Sequence, residues 1–244
     1  MNLVQNINHV FDEIGPFLVL VIAVYFLINH YVNAMNPFKL VSSDIQTWMD
    51  NHQLTGWHVF TTLCPETVRI RSESDHWRRS GAVYRPSSHT AVIVEEQWCQ
   101  SQFEWIWNAC HELAHPDQTE SLWATYRHVK RATELTELAG IIVFAGHIAI
   151  LVPIGLITMA AGLYALVDLL PELDAILRTP HYLERVFTLW PADERVKVAV
   201  LRLTLPALRY NTWSYVRNTG LITLGLWTGA IIGGLFMRAV VFAH

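Results

Sequence analysis

Three stretches of the chain carry no Asp, Glu, Lys or Arg over a length that matters to a bilayer: Gly15 to Phe38, Ala139 to Val167 and Asn218 to Met237. A helix rises about 1.5 Å per residue, so roughly 20 apolar residues cover the ~30 Å hydrocarbon core, and backbone that enters that core must satisfy its own hydrogen bonds. These blocks therefore dictate a mainly α integral membrane protein. Composition agrees: the 244 residues are 52% hydrophobic and only 16% charged, more apolar than a soluble domain of this size. The first block is expected to remain as an anchor rather than act as a cleaved signal. No Lys or Arg precedes Lys39, and no small-x-small site follows the apolar run.

The middle block, Leu138 to Leu170, is too long for one ordinary span and too short for two generous ones. "VPIGL", residues 152–156, lies at its midpoint, and Pro153 and Gly155 break helices there, giving either a tight hairpin or one kinked helix. Charge chooses the hairpin. Of the seventeen Lys and Arg residues, all but Arg238 lie between Lys39 and Arg217, and a hairpin puts them on one side. That side is then cytoplasmic by the positive-inside rule, as expected for a bacterial inner-membrane protein with its site facing the cytoplasm. The expected division is an anchor at 1–38, a cytosolic portion at 39–137, a membrane hairpin at 138–170, a cytosolic helical segment at 171–217 and a last membrane helix at 218–244. That makes about four membrane segments. Gly220, Gly225, Gly229 and Gly233 on the last helix offer a close-packing face through which the chain could form a homo-oligomer. The formal charge of -4 argues against nucleic acid as a partner, and the three cysteines, Cys64, Cys99 and Cys110, form no CxxC pair.

The polar portion opens with short β-rich runs, "TVRIRS", "GAVYR" and "TAVIV", separated by turn-forming residues, and reads as a small sheet. Then "EEQWCQSQFEWIWNACHELAH", residues 95–115, holds no Pro or Gly and places apolar residues at helical spacing, so one amphipathic helix is expected there. It carries His-Glu-x-x-His. On a helix His111 and His115 lie one above the other and can offer two imidazoles to one tetrahedral Zn2+, one ion per chain. Glu112, about 100° away, can reach a water in the open position and act as general base. A catalytic zinc takes a third protein ligand. Glu134 and Glu137 in "RATELTELAG" and Glu172 in "LLPELDAILR" are the candidates. Glu172 can return to the same face only if the chain makes an even number of crossings, as the basic residues require.

The order of an anchor, a β-containing segment, HExxH, an apolar hairpin and "LPELDA" resembles the YugP-type bacterial membrane zinc metallopeptidases, whose patterns are HExGHAxQ and LPxEFxAS. His111, Glu112, His115 and Gln118 match the first pattern. Leu170, Pro171, Glu172 and Ala175 match much of the second, with the Glu one place nearer the Pro. The chain departs at Ala114 for Gly, Pro116 for Ala, Leu173 for an aromatic and Ile176 for a small or acidic residue. A more distant likeness is to HtpX-type membrane proteases. The resemblance implies a zincin-like cytosolic α+β portion, Glu172 as third ligand, and hydrolysis of a peptide or protein substrate, membrane proteins included.

Asp168 and Asp174 are candidates to orient a ligand by hydrogen bonding, and Tyr210 or Tyr215 to stabilise an oxyanion. His76 and His89 read as surface residues, and His147 as a polar contact inside the bundle. The competing readings are a zinc-binding pseudoenzyme and a non-enzymatic membrane scaffold. Pro116 is the sharpest constraint on the site, because a proline biases the residue before it away from helical geometry.

Overall fold

The computed structural model describes residues 3–72, 82–145 and 151–241. It is mostly helical, and the chain divides into two compact units. A helical unit comprises Met1–Ala34, Ala124–Leu170 and Trp213–His244; a sheet-bearing unit comprises Met35–Trp123 and Pro171–Thr212.

In the sheet-bearing unit, α2 (Ser43–Asn51) and α3 (Gly56–Leu63) start where Ser42 and Thr55 accept hydrogen bonds from the N–H groups of Ile45 and His58. Strands β1 (Arg69–Ser72), β2 (Ala82–Arg85) and β3 (Thr90–Ile93) form the small sheet where the β-rich runs stand. The order is β1-β3-β2, with β1 parallel and β2 antiparallel to β3, and Tyr84 registered opposite Ala91. β3 is buried over Ala91–Ile93.

The single helix expected over 95–115 is instead two, α4 (Glu95–Trp98) and α5 (Phe103–Ala114), with Gln102 in extended backbone at the start of the second. Trp98 and Phe103 are both fully buried in the same core. Five residues of uninterrupted helix would aim them about 140° apart, so the chain breaks between them although no Pro or Gly marks the place.

α6 (Glu120–Ala145), α7 (Leu151–Leu189) and α8 (Glu194–Val241) are long helices that run without interruption through positions 137, 170 and 217. α8 starts where Asp193 Oδ1 accepts the Val196 N–H at 2.9 Å. The break expected at "VPIGL" does not occur: α7 runs as helix through residues 152–156. Gly155–Leu189 is, among the described residues, the one helical stretch long and apolar enough to cross a membrane by length and composition. In the helical unit, α1 (Leu3–Ala34) exposes Val19, Leu20, Phe26 and Leu27. Among the described residues, a Cβ at Gly220, Gly225 or Gly229 would meet nothing within 4 Å.

Among the described glycines the closest approach is at Gly56, between α3 and α5. A Cβ on Gly56 would stand 2.6 Å from the Trp105 carbonyl oxygen and 2.8 Å from its carbonyl carbon. Backbone cannot yield there as a side chain would. Gly56→Ala is expected to destabilise the protein by about 1–3 kcal/mol, read as a lowered thermal unfolding midpoint in detergent; an unchanged midpoint would contradict this packing.

Candidate metal centre

From Ala109 to Ala114 every side chain of α5 is buried, so the motif lies on a helix enclosed on all sides. His111 and His115 are each 3% exposed, one helical turn apart, with ring centroids 5.0 Å apart and ring planes nearly perpendicular. On α7 the inner stripe Ala175, Ile176, Thr179, Tyr182, Leu183 and Val186 is buried at three- and four-residue spacing. Glu172 continues that stripe by one turn, which brings its carboxylate to α5.

Glu172 Oε2 lies 3.1 Å from His111 Nε2 and 3.7 Å from His115 Nε2. One ligand atom from each of the three lies within 4.8 Å of the others, and among the described residues no other such His, Cys, Asp or Glu group occurs. Two atoms bound at ~2.0–2.1 Å to a tetrahedral ion stand about 3.3 Å apart. The two distances bracket that value, so the set could hold a metal ion. Glu172 keeps 27% of its side chain exposed against 4% for each histidine, so the cluster opens to solvent on the carboxylate side.

Pro116 ends the helix without displacing its second histidine. His115 holds φ -63° and ψ -42°, helical values, against the bias a following proline exerts. The Glu112 carbonyl, which a non-proline at 116 would have bonded, accepts the His115 N–H at 3.4 Å instead. Beyond the proline the chain turns back on the site. Gln118, 6% exposed, donates its amide N–H to the Pro171 carbonyl, next to Glu172, and this leaves Oε1 facing His115 Nδ1 at 3.2 Å. For a neutral imidazole, that network places the proton on Nδ1 and the lone pair on Nε2, the form a metal ligand requires. Tyr182 donates its hydroxyl to Asp117 and holds the same turn from α7.

The sheet adds a wall. Tyr84 lies parallel to the His115 ring, 3° from coplanar at 6.2 Å, and Trp123 is tilted against it at 6.1 Å. The Tyr84 hydroxyl is 3.1 Å from His89 Nδ1, and His89, exposed as expected, takes a left-handed backbone at φ 45°. Gln118, Tyr84, Trp123 and the Asp117–Tyr182 pair were not among the expected site residues. Only Gln118 had a local signal, its position three residues past His115.

The other expected residues are not in that ligand group. Glu134 is exposed and Glu137 half-buried on α6 in the helical unit. Asp168 accepts a hydrogen bond from the Tyr126 hydroxyl at 3.2 Å, and Asp174 pairs with Arg178 at 2.9 Å. Tyr210 sets its ring edge-on to Phe38 at 6.0 Å, and Tyr215 belongs to the helical unit. His76 and His147 lie outside the described residues. The chain matches no family model, no curated protein and no solved structure.

Burial pushes the Glu112 carboxyl up to about 7, with the His115 charge opposing and that of Glu172 adding to the shift. A carboxyl at that value can both take and return a proton near neutrality. Two outcomes follow. Because the folded value lies above the ordinary 4.5, the stabilisation from this group is present below pH 4.5 and lost as pH rises through 7. In metal-free protein, Glu112→Gln should abolish that loss, on the order of 3 kcal/mol between pH 4.5 and 8, and parallel pH–stability curves for the two proteins would contradict it. Gln118→Ala should weaken metal binding about 10–100-fold, measured by competition against a chromogenic chelator.

Proposed function

We propose that the protein is a membrane-embedded zinc-dependent metallopeptidase, in which His111, His115 and Glu172 hold Zn2+ and Glu112 is the general base. The observation that carries this reading is the meeting of three ligand atoms from α5 and α7, His111 and Glu172 being 61 residues apart in sequence, with a buried carboxyl whose proton affinity suits neutral pH beside them. Two imidazoles and a carboxylate are the donor set of a hydrolytic zinc site, which keeps a position for water. When bound, the ion would supply an acidified water and polarise a substrate carbonyl.

The residues divide the remaining work. Gln118 presets the His115 tautomer, and Tyr84 and Trp123 restrain its ring. Glu112 takes the proton of the attacking water and passes it to the departing amine, which its near-neutral proton affinity permits in both directions. The exposed edge at Glu172 is the side from which a peptide would approach.

The membrane assignment extends the same reading. Large apolar side chains stand exposed on α1, on α6 at Leu135, Leu138 and Ile142, and on α7 at Met159, Leu163 and Leu166, more than a soluble surface ordinarily presents. An anchor, a central hairpin and the end of α8 would make about four membrane segments, with sixteen of the seventeen basic residues facing the cytoplasm of a bacterial inner membrane. Substrates would then be peptides or membrane proteins. The likeness to YugP-type metallopeptidases supports this arrangement, and the open glycine face of α8 suits a homo-oligomer.

Purified protein should contain about one zinc per chain, lost in His111→Ala, His115→Ala and Glu172→Ala. Glu112→Gln should keep the zinc and lower peptide hydrolysis by at least about 10²-fold. Full zinc with no hydrolysis by the parent protein would leave a zinc-binding pseudoenzyme. Absence of zinc would leave a membrane scaffold.

A further inference from the structure

Within the helical unit one arginine ties α1 to α8. Arg217 Nη1 donates to Asn29 Oδ1 at 3.2 Å and to Asn33 Oδ1 at 3.3 Å, one turn apart on α1, and Nε donates to Asn218 Oδ1 at 3.2 Å. All three partners are neutral carboxamides. Among the described residues no carboxylate pairs with Arg217. Its own two helices bring none near, because α1 has no acid after Glu13 and α8 none after Glu194. The half-buried guanidinium is thus a held cation without a paired counter-charge. Its Nη2 group, with two N–H donors, meets no acceptor among the described residues. Asn29 turns its oxygen to Arg217, which leaves its own N–H groups as donors toward a further ligand.

The level of this cation along both helices is that of a lipid headgroup. Beyond Arg217, α8 carries no charge through residues 218–237, and from Asn33 back to Ile14 α1 carries none either. Each run rises about 30 Å, the thickness of the hydrocarbon core. Leu27 in the first run and Ile222 in the second are exposed. Trp213, one turn before Arg217, and Tyr31, between the two asparagines, are exposed as well, and such rings favour the boundary between headgroups and acyl chains. A guanidinium suits phosphate there because its planar fork matches two oxygens and is weakly hydrated.

We propose that Arg217, seated by Asn29 and Asn33, binds the phosphate of an anionic phospholipid. The asparagines fix the guanidinium without neutralising it, Nη2 donates to a phosphate oxygen, and the acyl chains of that lipid follow the exposed apolar sides of α1 and α8. An aspartate at either asparagine position would hold the arginine equally well and close the site to an anion. The inference rests on the membrane reading above and adds to it a lipid of stated charge at a stated residue.

The test uses the full chain in dodecyl maltoside, titrated with dioleoyl phosphatidylglycerol and followed by native mass spectrometry and by the thermal unfolding midpoint. The parent protein should retain one phosphatidylglycerol and unfold at a higher temperature with it, whereas dioleoylglycerol, with the same chains and no phosphate, should do neither. Arg217→Gln should weaken binding about 10–100-fold. Asn29→Asp, which keeps the contact to Arg217 and supplies a counter-charge, should weaken binding likewise without lowering the midpoint in lipid-free detergent. Undiminished phosphatidylglycerol binding in Asn29→Asp, or in a folded Arg217→Gln, would reduce the arginine to a tie between helices and overturn the proposal. Displacement of the lipid by millimolar inorganic phosphate, with the same rise in midpoint, would make the ligand a soluble phosphate and overturn it too. Flotation with phosphatidylcholine vesicles but no preference for phosphatidylglycerol would sink this inference alone. A chain that stays in solution without detergent and does not float would overturn the membrane reading beneath it.

Discussion

The approach of Glu172 to His111, 3.1 Å between Oε2 and Nε2, is the contact on which the rest of the site depends. It joins α5 to α7, and both helices are arranged to permit it. α5 is enclosed by α3, whose Gly56 admits the Trp105 backbone, and α7 contributes a buried stripe that ends at Glu172. Apolar burial supplies the energy that holds two helices together, and the polar atoms inherit a position from it. A carboxylate and two imidazoles gathered in this way repay their desolvation when a cation stands between them.

Much of this was legible in the sequence where the signal is local. The β-rich runs became strands because branched residues bounded by turns need no distant partner to define them. The spacing of His111 and His115 placed both imidazoles on one face because helical geometry is fixed. Helix ends were harder to read. Charge-free blocks delimit runs of apolar sequence, whereas a helix continues through Arg131 or Arg217 as long as its backbone bonds do. The break between Trp98 and Phe103 left no sign because it comes from two side chains seeking one core. Tyr84 could not have been placed at His115 without the sheet, since β2 and α5 are joined only by tertiary structure.

Pro116 shows how a local rule can be overruled without being violated elsewhere. Its ring disfavours a further turn of helix, and α5 ends at Ala114. Its bias on His115 yields because that residue is held by burial, by the stacked Tyr84 and by the amide of Gln118. The abrupt stop turns Asp117 and Gln118 toward α7, where a continued helix would have carried them past it.

The Gln118 amide has a consequence for how such sites are told from chance. A carboxamide has one accepting and one donating end, and here the Pro171 carbonyl claims the donor, so the histidine can meet only the acceptor. The chemical state of His115 is thus encoded by a main-chain oxygen on another helix, read through a side chain with two unlike ends. A search that asked, for each paired-histidine helix, whether a polar side chain just beyond it is oriented by a distant backbone group would separate histidines preset for a cation from those that share the spacing alone.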